Sequence, residues 1–368
     1  MKKVVILGCT GSIGTTAIQA IRDKKMEVSV VGLSAHSNEK ALFSLARELS
    51  CTSVCLTARK GHAQSDITVF DDLSDMLSNL EADIVLNGIA GFAGLEASLL
   101  SIQQGFDLAL ANKESIVCGG SYLFDLARHH DSKIIAVDSE HSALAELVKG
   151  RPPHEIGALI LTGSGGPFRT LPKERFSQIT VEQALAHPTW KMGKKISVDS
   201  ATLANKALEV IEASYLFGLP ADKIEVVIHP QSVVHSMIRT VDGALYAQMG
   251  IPDMTLPIVN ALIDDGKNLV APLDFSNLSL TFEKPDYERF PLLALAFSIL
   301  KRRGSAALAF NAADEVAVHT FLDRKCTYPQ MIRAIEKTLE KPWDSAPSSF
   351  EETLALDSEA RKLTRSYV

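Results

Sequence analysis

The sequence predicts an α/β protein in three parts: an N-terminal doubly wound parallel sheet, a central α+β region and a C-terminal helical bundle. Three observations support this prediction. Residues 1–137 alternate short apolar segments with amphipathic ones, residues 138–262 change to a mixed pattern, and residues 289–368 carry helical periodicity alone. The chain has 368 residues, and at about 150 residues per domain this length suits two or three domains.

The N-terminal region, residues 1–137, is predicted to form a Rossmann-like sheet. Its strand-like segments are short, branched and apolar, at 4–7, 28–33, 53–56, 84–87, 108–111 and 134–137. The amphipathic stretches between them lie at 15–22, 39–49, 73–80, 94–104 and 120–128. Strands that are apolar throughout are buried on both faces, so the alternation indicates a parallel sheet with helices on each side.

The remaining two regions are predicted from changes in the spacing of apolar residues along the chain. In the central region, strands are predicted at 158–161, 224–228, 232–240 and 244–249, and a long helix over 201–217. The turn Asp242-Gly243 makes the last two strands an antiparallel hairpin. Residues 263–288, punctuated by Pro and Asn, predict a linker. The amphipathic segments at 290–301, 305–324, 328–341 and 349–366 predict the helical bundle.

Composition excludes several classes of protein. The 37 Lys and Arg against 44 Asp and Glu give a net charge of −7, which argues against a nucleic-acid partner. The longest apolar run, 291–300, is too short to cross a membrane, and the start of the chain lacks the apolar length of a secretory signal. The five cysteines are odd in number and predict reduced thiols. We therefore expect a cytoplasmic protein.

A glycine-rich loop follows the first predicted strand. Gly8, Gly11 and Gly14 stand between that strand and the next helix, where backbone N–H groups can approach a pyrophosphate. The alternative is a turn that merely needs small residues. The second strand ends in residues 34–38 without the acidic residue that accepts ribose hydroxyls at NAD-specific sites, which favours NADP.

Two further strand ends carry polar groups. Asn112, Lys113 and Glu114 follow one strand; Asp138 and Glu140 follow the next. If the second segment is extended, its two carboxylates lie on one side, and their repulsion is relieved by a hard divalent ion such as Mg²⁺ or Mn²⁺. The alternatives are a solvated turn for the first segment and a polar helix entry for the second.

The predicted helix 201–217 offers a third carboxylate. Asn205, Lys206 and Glu209 share one helical face, which is either a ligand-binding stripe or simply solvated. The loop 163–166, Gly-Ser-Gly-Gly, is either an anion nest or a flexible turn. Trp190, in a loop segment, either caps a core or belongs to a lid over substrate.

Taken together, these segments resemble the 1-deoxy-D-xylulose 5-phosphate reductoisomerase family. The resemblance spans almost the whole chain and rests on the glycine loop and on strings that occur in order. They are residues 110–114, 137–141, 161–168, 187–193, 200–206 continuing to Glu209, and 229–235. It implies an enzyme that rearranges 1-deoxy-D-xylulose 5-phosphate and reduces the product with NADPH to 2-C-methyl-D-erythritol 4-phosphate, in isoprenoid precursor biosynthesis.

The resemblance also implies roles for individual residues. Asp138, Glu140 and Glu209 would bind the divalent metal (Mg, Mn or Co) and, with Lys113, form the catalytic set. The substrate-binding residues would be Lys113, Ser139, Glu140, Ser164, His187, Trp190, Ser200, Asn205, Lys206, Glu209 and His235. The NADPH-binding residues would be Thr10, Gly11, Ser12, Ile13, Ser37, Asn38, Asn112, Glu114, Met192 and Gly193. Residues 186–194 would form a closing flap, and the hairpin would support a homodimer.

The sequence differs from the usual family pattern at two places, and two other functions remain as alternatives. Cys9 stands where Ser is usual in the family, and His36-Ser37 replaces the Gly-Lys of some members. The first alternative function is an NADP-dependent dehydrogenase of semialdehyde or homoserine type without skeletal rearrangement. The second is a non-catalytic NADPH-binding sensor.

Overall fold

The computed structural model describes residues 1–58, 66–263, 270–274 and 276–368, and it divides into two compact units. The first unit comprises Met1–Ser115, Ser121–Ser142 and Asp253–Ala271. The second comprises Ile116–Gly120, Ala143–Pro252 and Pro272–Val368. The separate functions predicted for residues 1–137, 138–262 and 289–368 stay predictions.

Eleven strands and fourteen α-helices are present in the described part of the chain. The strands are β1 Lys2–Leu7, β2 Val28–Ala35, β3 Ser53–Leu56, β4 Thr68–Phe70, β5 Ile84–Asn87, β6 Asp107–Leu110, β7 Ile134–Ala136, β8 Ile156–Gly163, β9 Ile224–Ile228, β10 Val234–Thr240 and β11 Leu245–Met249. The helices are α1 Ser12–Asp23, α2 Glu39–Glu48, α3 Leu73–Ser78, α4 Ala93–Gln103, α5 Lys113–His129, α6 Ser139–Val148, α7 Val181–Leu185, α8 Lys194–Thr202, α9 Ala204–Phe217, α10 Thr255–Leu262, α11 Pro291–Arg302, α12 Ala306–Leu322, α13 Tyr328–Glu340 and α14 Phe350–Arg365.

The first unit is built on a seven-stranded sheet in the order β4-β3-β2-β1-β5-β6-β7, with every neighbouring pair parallel. The order reverses between β1 and β5, and ligands of such sheets bind at that switch point, beyond the carboxyl ends of the strands. The predicted doubly wound sheet is confirmed. Its edge strand β4 was not predicted, because three partly exposed residues carry little periodicity.

Two predicted helices and one predicted extended segment differ from the structure. Helix α5 begins at Lys113 rather than near residue 120, where Gly120 (φ 48°) instead interrupts its helical backbone. Ser139 and Glu140 lie in the first turn of α6, so the extended geometry expected for this segment is wrong. The long helix predicted over 201–217 is two helices, α8 and α9, separated by Leu203 in a left-handed conformation (φ 59°).

The second unit contains a four-stranded sheet and the C-terminal helices. Its strand order is β11-β10-β8-β9, in which β8 and β9 are parallel and the predicted hairpin β10–β11 is antiparallel. Helix α12 packs against α13 and α14 and supplies much of the apolar core, as the predicted bundle requires. Within the predicted linker 263–288, residues 264–269 and 275 lie outside the described residues. Its described part contains no helix or strand, and Glu283 bridges to Ile228 of β9.

The apolar interior of the first unit lies between its sheet and helices, and includes α10, which was not predicted. In the part of the chain that the structure describes, no helix combines the length and apolar character needed to span a membrane.

Candidate active site

The glycine loop at the end of β1 is required by close packing. Gly8 has φ +72°, and a Cβ at this position would lie 2.9 Å from the carbonyl oxygen of Gly88. A Cβ on Gly14 would lie 2.5 Å from Cys9 Cα. Gly11 is the N-cap of α1 and offers no side-chain cap, and both Gly11 and Ser12 are exposed. The loop therefore leaves an open helix N-terminus, which fits the pyrophosphate of a dinucleotide.

At the end of β2 the side chains have local partners. Asn38 accepts a hydrogen bond from the backbone N–H of Ala41 (3.2 Å) and caps α2. His36 Nδ1 lies 3.0 Å from Thr57 Oγ1 at the end of the neighbouring strand β3, and Ser37 is exposed. The predicted cofactor residues Ser37 and Asn38 thus lie at the carboxyl edge of the sheet.

All the hydrogen-bonding groups of the Asn112 side chain have partners within the first unit. Its Nδ2 donates to the Gly91 carbonyl (2.9 Å) and to Glu114 Oε2 (2.9 Å). Its Oδ1 accepts from the Ser115 backbone N–H (2.8 Å) and from the Ser115 hydroxyl. Because a carboxamide has two donor hydrogens and two acceptor lone pairs, this side chain is fully used. These hydrogen bonds hold Asn112 to the Gly91 loop, to Glu114 and to Ser115.

Sequence reasoning missed the buried polar chain that supports Asn112. Asn87, at the end of β5, donates to the Gly94 carbonyl and to Ser98 Oγ, each at 2.8 Å. Ser98 Oγ lies 2.9 Å from Ser115 Oγ, which continues the chain to Asn112. The available signal is an asparagine that ends an otherwise apolar, fully buried strand.

Lys113 and Asp138 form a buried ion pair in the first unit. Lys113 Nζ donates to Asp138 Oδ2 at 2.7 Å, and the two side chains are 6% and 13% exposed. Burial by itself raises the pKa of Asp138, but the Lys113 ammonium and the His141 ring together hold this pKa well below its usual range. The Asp138 carboxylate is therefore ionised, and a solvated turn at Lys113 is excluded.

Two neighbours complete this cluster. The Ser139 hydroxyl donates to Glu140 Oε2 at 2.5 Å, and the Glu140 backbone N–H donates to Asp138 Oδ1 at 3.3 Å. The His141 ring, fully buried, has Nδ1 3.5 Å from Asp138 Oδ1. Sequence reasoning missed His141, although Asp and His three residues apart at a helix start could have indicated it. The ionised Asp138 carboxylate suits a hard divalent cation, which prefers oxygen ligands.

In the second unit, the polar stripe of α9 is buried rather than solvated. Lys206 and Glu209 are 4% and 1% exposed, and the Lys206 ammonium and the Asn205 amide both donate to the Glu209 carboxylate. The glycine loop after β8 packs on this group and on Ser200. A Cβ on Gly163 would lie 3.0 Å from Lys206 Cε, and one on Gly166 (φ +68°) would lie 2.5 Å from the Ser200 carbonyl oxygen.

His187 joins this loop to the predicted flap. Its Nδ1 accepts the backbone N–H groups of Thr189 (3.2 Å) and Trp190 (2.8 Å), so the ring proton is on Nε2. Nε2 then donates to Ser164 Oγ, 3.0 Å away. Burial lowers the pKa of His187 from its ordinary value of 6.5. The ring is neutral at pH 7.

We expect the His187 ring to titrate below pH 6.5, because protonation at Nδ1 breaks its two backbone hydrogen bonds. A histidine whose folded pKa is depressed stabilises the fold above its unfolded pKa. That contribution is lost as the pH falls through the folded pKa. NMR of the ring carbons against pH measures the midpoint. A midpoint at or above that of an unfolded chain would contradict the assigned tautomer.

Within the rest of the predicted flap, the Trp190 ring lies near β10 of the same unit. The rings of Trp190 and the buried His235 are 6.4 Å apart between centroids, and Met192 is half-buried. Gly193 is exposed with φ −62°, and a Cβ added there meets nothing within 4 Å. Among the described residues, the space that a side chain at this position would take is therefore open.

Comparisons with known proteins cover nearly the full chain. Family models described as 1-deoxy-D-xylulose 5-phosphate reductoisomerase, its C-terminal domain, and the DXP reductoisomerase C-terminal domain match residues 4–120, 134–217 and 249–363. The chain is 43% identical to the 1-deoxy-D-xylulose 5-phosphate reductoisomerase of Treponema pallidum, over 100% of this chain and 98% of that protein. It is 39% identical to that of Thermoanaerobacter pseudethanolicus over 100% of both chains.

Two solved structures are similar over their full length. The Zymomonas mobilis reductoisomerase in complex with NADPH has a TM-score of 0.89 and 37% identity, covering 99% of this chain and 98% of that one. A DOX-P reductoisomerase in complex with NADPH, fosmidomycin and magnesium has a TM-score of 0.91 and 32% identity, covering 100% and 98%.

Proposed function

The chain belongs to the 1-deoxy-D-xylulose 5-phosphate reductoisomerase family, and from this premise we infer how its residues divide the work of the reaction. It is an enzyme that uses NADPH and a divalent metal to rearrange and reduce 1-deoxy-D-xylulose 5-phosphate to 2-C-methyl-D-erythritol 4-phosphate in isoprenoid precursor biosynthesis. The observation that carries the assignment of residues is the ionised Asp138 carboxylate beside Lys113 in a buried pair.

We propose that Asp138, Glu140 and Glu209 bind the metal. The donor chemistry supports this, since all three are carboxylates, and Mg²⁺, Mn²⁺ and Co²⁺ accept oxygen ligands. When bound, the ion acts as a Lewis acid on the substrate carbonyl, and NADPH supplies the hydride. Lys113 donates hydrogen bonds to a substrate hydroxyl oxygen, and its neighbour Ser139 orients the same part of the substrate.

We propose that the second unit binds the substrate phosphate. Ser200, Asn205 and Lys206 supply a hydroxyl, an amide and an ammonium, and charge-assisted hydrogen bonds of this kind are the strong ones. Ser164 and His187 are joined by a hydrogen bond and contact the substrate beside them. Trp190 provides an apolar cover, which excludes water when the flap 186–194 closes, and His235 lies near the floor of the site.

We propose that NADPH lies on the carboxyl edge of the seven-stranded sheet. The backbone of residues Thr10, Gly11, Ser12 and Ile13 receives its pyrophosphate, which the uncapped start of α1 supports. Ser37 and Asn38 face its adenosine ribose, and Glu114 is held toward it by Asn112. Met192 and Gly193 contact it from the flap.

The decisive test is a product analysis. Incubation with 1-deoxy-D-xylulose 5-phosphate, NADPH and Mg²⁺ is expected to oxidise NADPH and yield a branched product by NMR, and a chelator is expected to stop both. An unbranched alcohol would instead establish a simple NADP-dependent dehydrogenase. Cofactor binding without oxidation would establish the sensor.

We also propose that the protein acts as a homodimer in the cytoplasm. Strand β11 lies at the edge of the four-stranded sheet, and exposed apolar residues cluster beside it, with Val241, Leu245 and Tyr246 67%, 60% and 41% exposed. A strand edge that is unpaired within the described ranges and carries such residues favours pairing with a second copy. All five cysteines are free, which supports a reducing compartment. Light scattering measures the mass in solution.

A further inference from the structure

Helix α8 starts where the predicted flap ends. Gly193 is its N-cap, and Ser200 lies near its other end. The first turn of α8 is therefore the C-terminal anchor of the flap, and the same helix carries a proposed phosphate-binding hydroxyl. Any contact that fixes the position of α8 therefore fixes both the flap's anchor and the Ser200 hydroxyl.

The first turn of α8 contains the positively charged Lys195, although a positive charge at a helix N-terminus is unfavourable. The turn includes no acidic residue, and the helix dipole places partial positive charge at this end. Lys195 Nζ lies 2.8 Å from Asp199 Oδ2 and 2.8 Å from Asp314 Oδ2. Asp199 is one turn along the same helix, whereas Asp314 is fully buried in α12. The ammonium thus links α8 to the core of the helical bundle.

The far end of α8 is attached to the same group of helices. The buried Tyr328 hydroxyl, at the start of α13, donates to the Ala201 carbonyl at 2.8 Å. The Tyr328 hydroxyl and both aspartates are buried, and the Lys195 side chain is 17% exposed. Removing one partner of a buried ion pair is costly because it leaves a charge uncompensated. Asp199 and Asp314 are both near the Lys195 ammonium, and this cation offsets the repulsion between the two carboxylates.

We propose that Lys195 and Asp314 are positioning residues for the flap: their ion pair holds the flap's anchor at the orientation from which it closes over substrate. This inference rests on the proposed function, because it takes residues 186–194 to be a closing flap. A displaced anchor lowers the population of the closed state. The apparent affinity for substrate then falls by the same factor.

The test compares two isosteric variants. Asp314→Asn removes the carboxylate that crosses to α12, and Asp199→Asn removes the one within α8, each 2.8 Å from the same ammonium. We expect Asp314→Asn to raise KM for 1-deoxy-D-xylulose 5-phosphate about tenfold with kcat changed less, and Asp199→Asn to change KM less than about twofold. Lys195→Arg, which keeps the charge, is expected to retain most of the affinity, and Lys195→Met to lose it.

A second measurement reports flap closure directly. The chain has two tryptophans, Trp190 and Trp343, and fluorotryptophan gives each its own ¹⁹F signal. Substrate added with Mg²⁺ and NADP⁺ is expected to shift the Trp190 signal in the wild type and to shift a smaller fraction of it in Asp314→Asn. Equal KM values and equal shifts in the two Asn variants would overturn the positioning role, even if both variants melt at lower temperature. An unchanged Trp190 signal in the wild type would instead overturn the flap itself.

Discussion

Replacing Glu209 with Gln is expected to lower metal-dependent turnover by about a thousandfold, roughly 4 kcal/mol in the activation barrier. Gln has the same shape and keeps one acceptor oxygen, but it lacks the charge that a divalent cation requires. Glu209 is 1% exposed and accepts hydrogen bonds from Lys206 and Asn205, so its charge lies in a buried setting where it interacts strongly with a cation. Turnover against Mn²⁺ concentration, with Mn²⁺ binding by electron paramagnetic resonance, measures the effect.

The matched control is Glu315→Gln. Glu315 is also a buried glutamate of the second unit, and it pairs with Arg361 at 2.6 Å inside the helical bundle. This variant is expected to lose some stability, since Arg361 loses one carboxylate partner and keeps that of Asp357, 2.6 Å away, while the Mn²⁺ affinity stays unchanged. The assignment of Glu209 to the metal fails if both glutamine variants bind Mn²⁺ as the wild type does.

Replacing Lys206 with Met is expected to raise KM for the phosphorylated substrate about a hundredfold, because hydrogen bonds from an ammonium to phosphate are worth roughly 1.5–3 kcal/mol. Met keeps most of the buried volume that Lys206 fills beside Gly163. The dissociation constant of NADPH, measured by its fluorescence, is expected to change little, since the proposed cofactor contacts do not include Lys206. An equal loss of affinity for both ligands would show that the variant disturbs the fold instead.

Lys223→Met supplies the control for this experiment. Lys223 is half-buried in the same unit, and its ammonium donates to the Ile156 carbonyl at 3.2 Å, at the start of β8. Removing this cation takes the same charge from the same unit at a place with no proposed ligand. Both KM for substrate and the NADPH dissociation constant are expected to stay within about twofold of the wild type.

Local patterns predicted most of the fold because each acts over a few residues. The apolar strands of the first sheet follow from branched side chains in short runs, and the hairpin follows from Asp242-Gly243, with Gly243 at φ +91° as its turn requires. The break at Leu203 has no such signal, because a leucine is held in a left-handed conformation only by its tertiary surroundings. Helix α5 starts early for a related reason, since Asn112 caps it with a side chain that the strand pattern does not predict.

The residue types of the site could be predicted, whereas their environments could not. A lysine and an aspartate 25 residues apart in sequence can each be solvated or can form a buried pair, and only the fold brings Lys113 and Asp138 together away from water. The Asn112 side chain is fully used only because Gly91, 21 residues earlier, accepts one of its hydrogen bonds. The tautomer of His187 follows from the nearby backbone N–H groups of Thr189 and Trp190, whose orientation toward the ring the residue types do not reveal. Sequence reasoning missed Asn87 and His141 because each is identified by a contact in the folded protein, Asn87 with Ser98 and His141 with Asp138.

The sequence by itself determined the Rossmann-like sheet, the family, and therefore the cofactor and the reaction, because periodicity and ordered motifs are local properties of the chain. The tertiary structure alone decided which charges are buried, which hydrogen-bonding groups are already used, and how Lys195 joins α8 to α12. The physical reason is that burial and pairing arise between residues far apart in sequence. The energies of charges and polar groups depend on the water that such contacts remove.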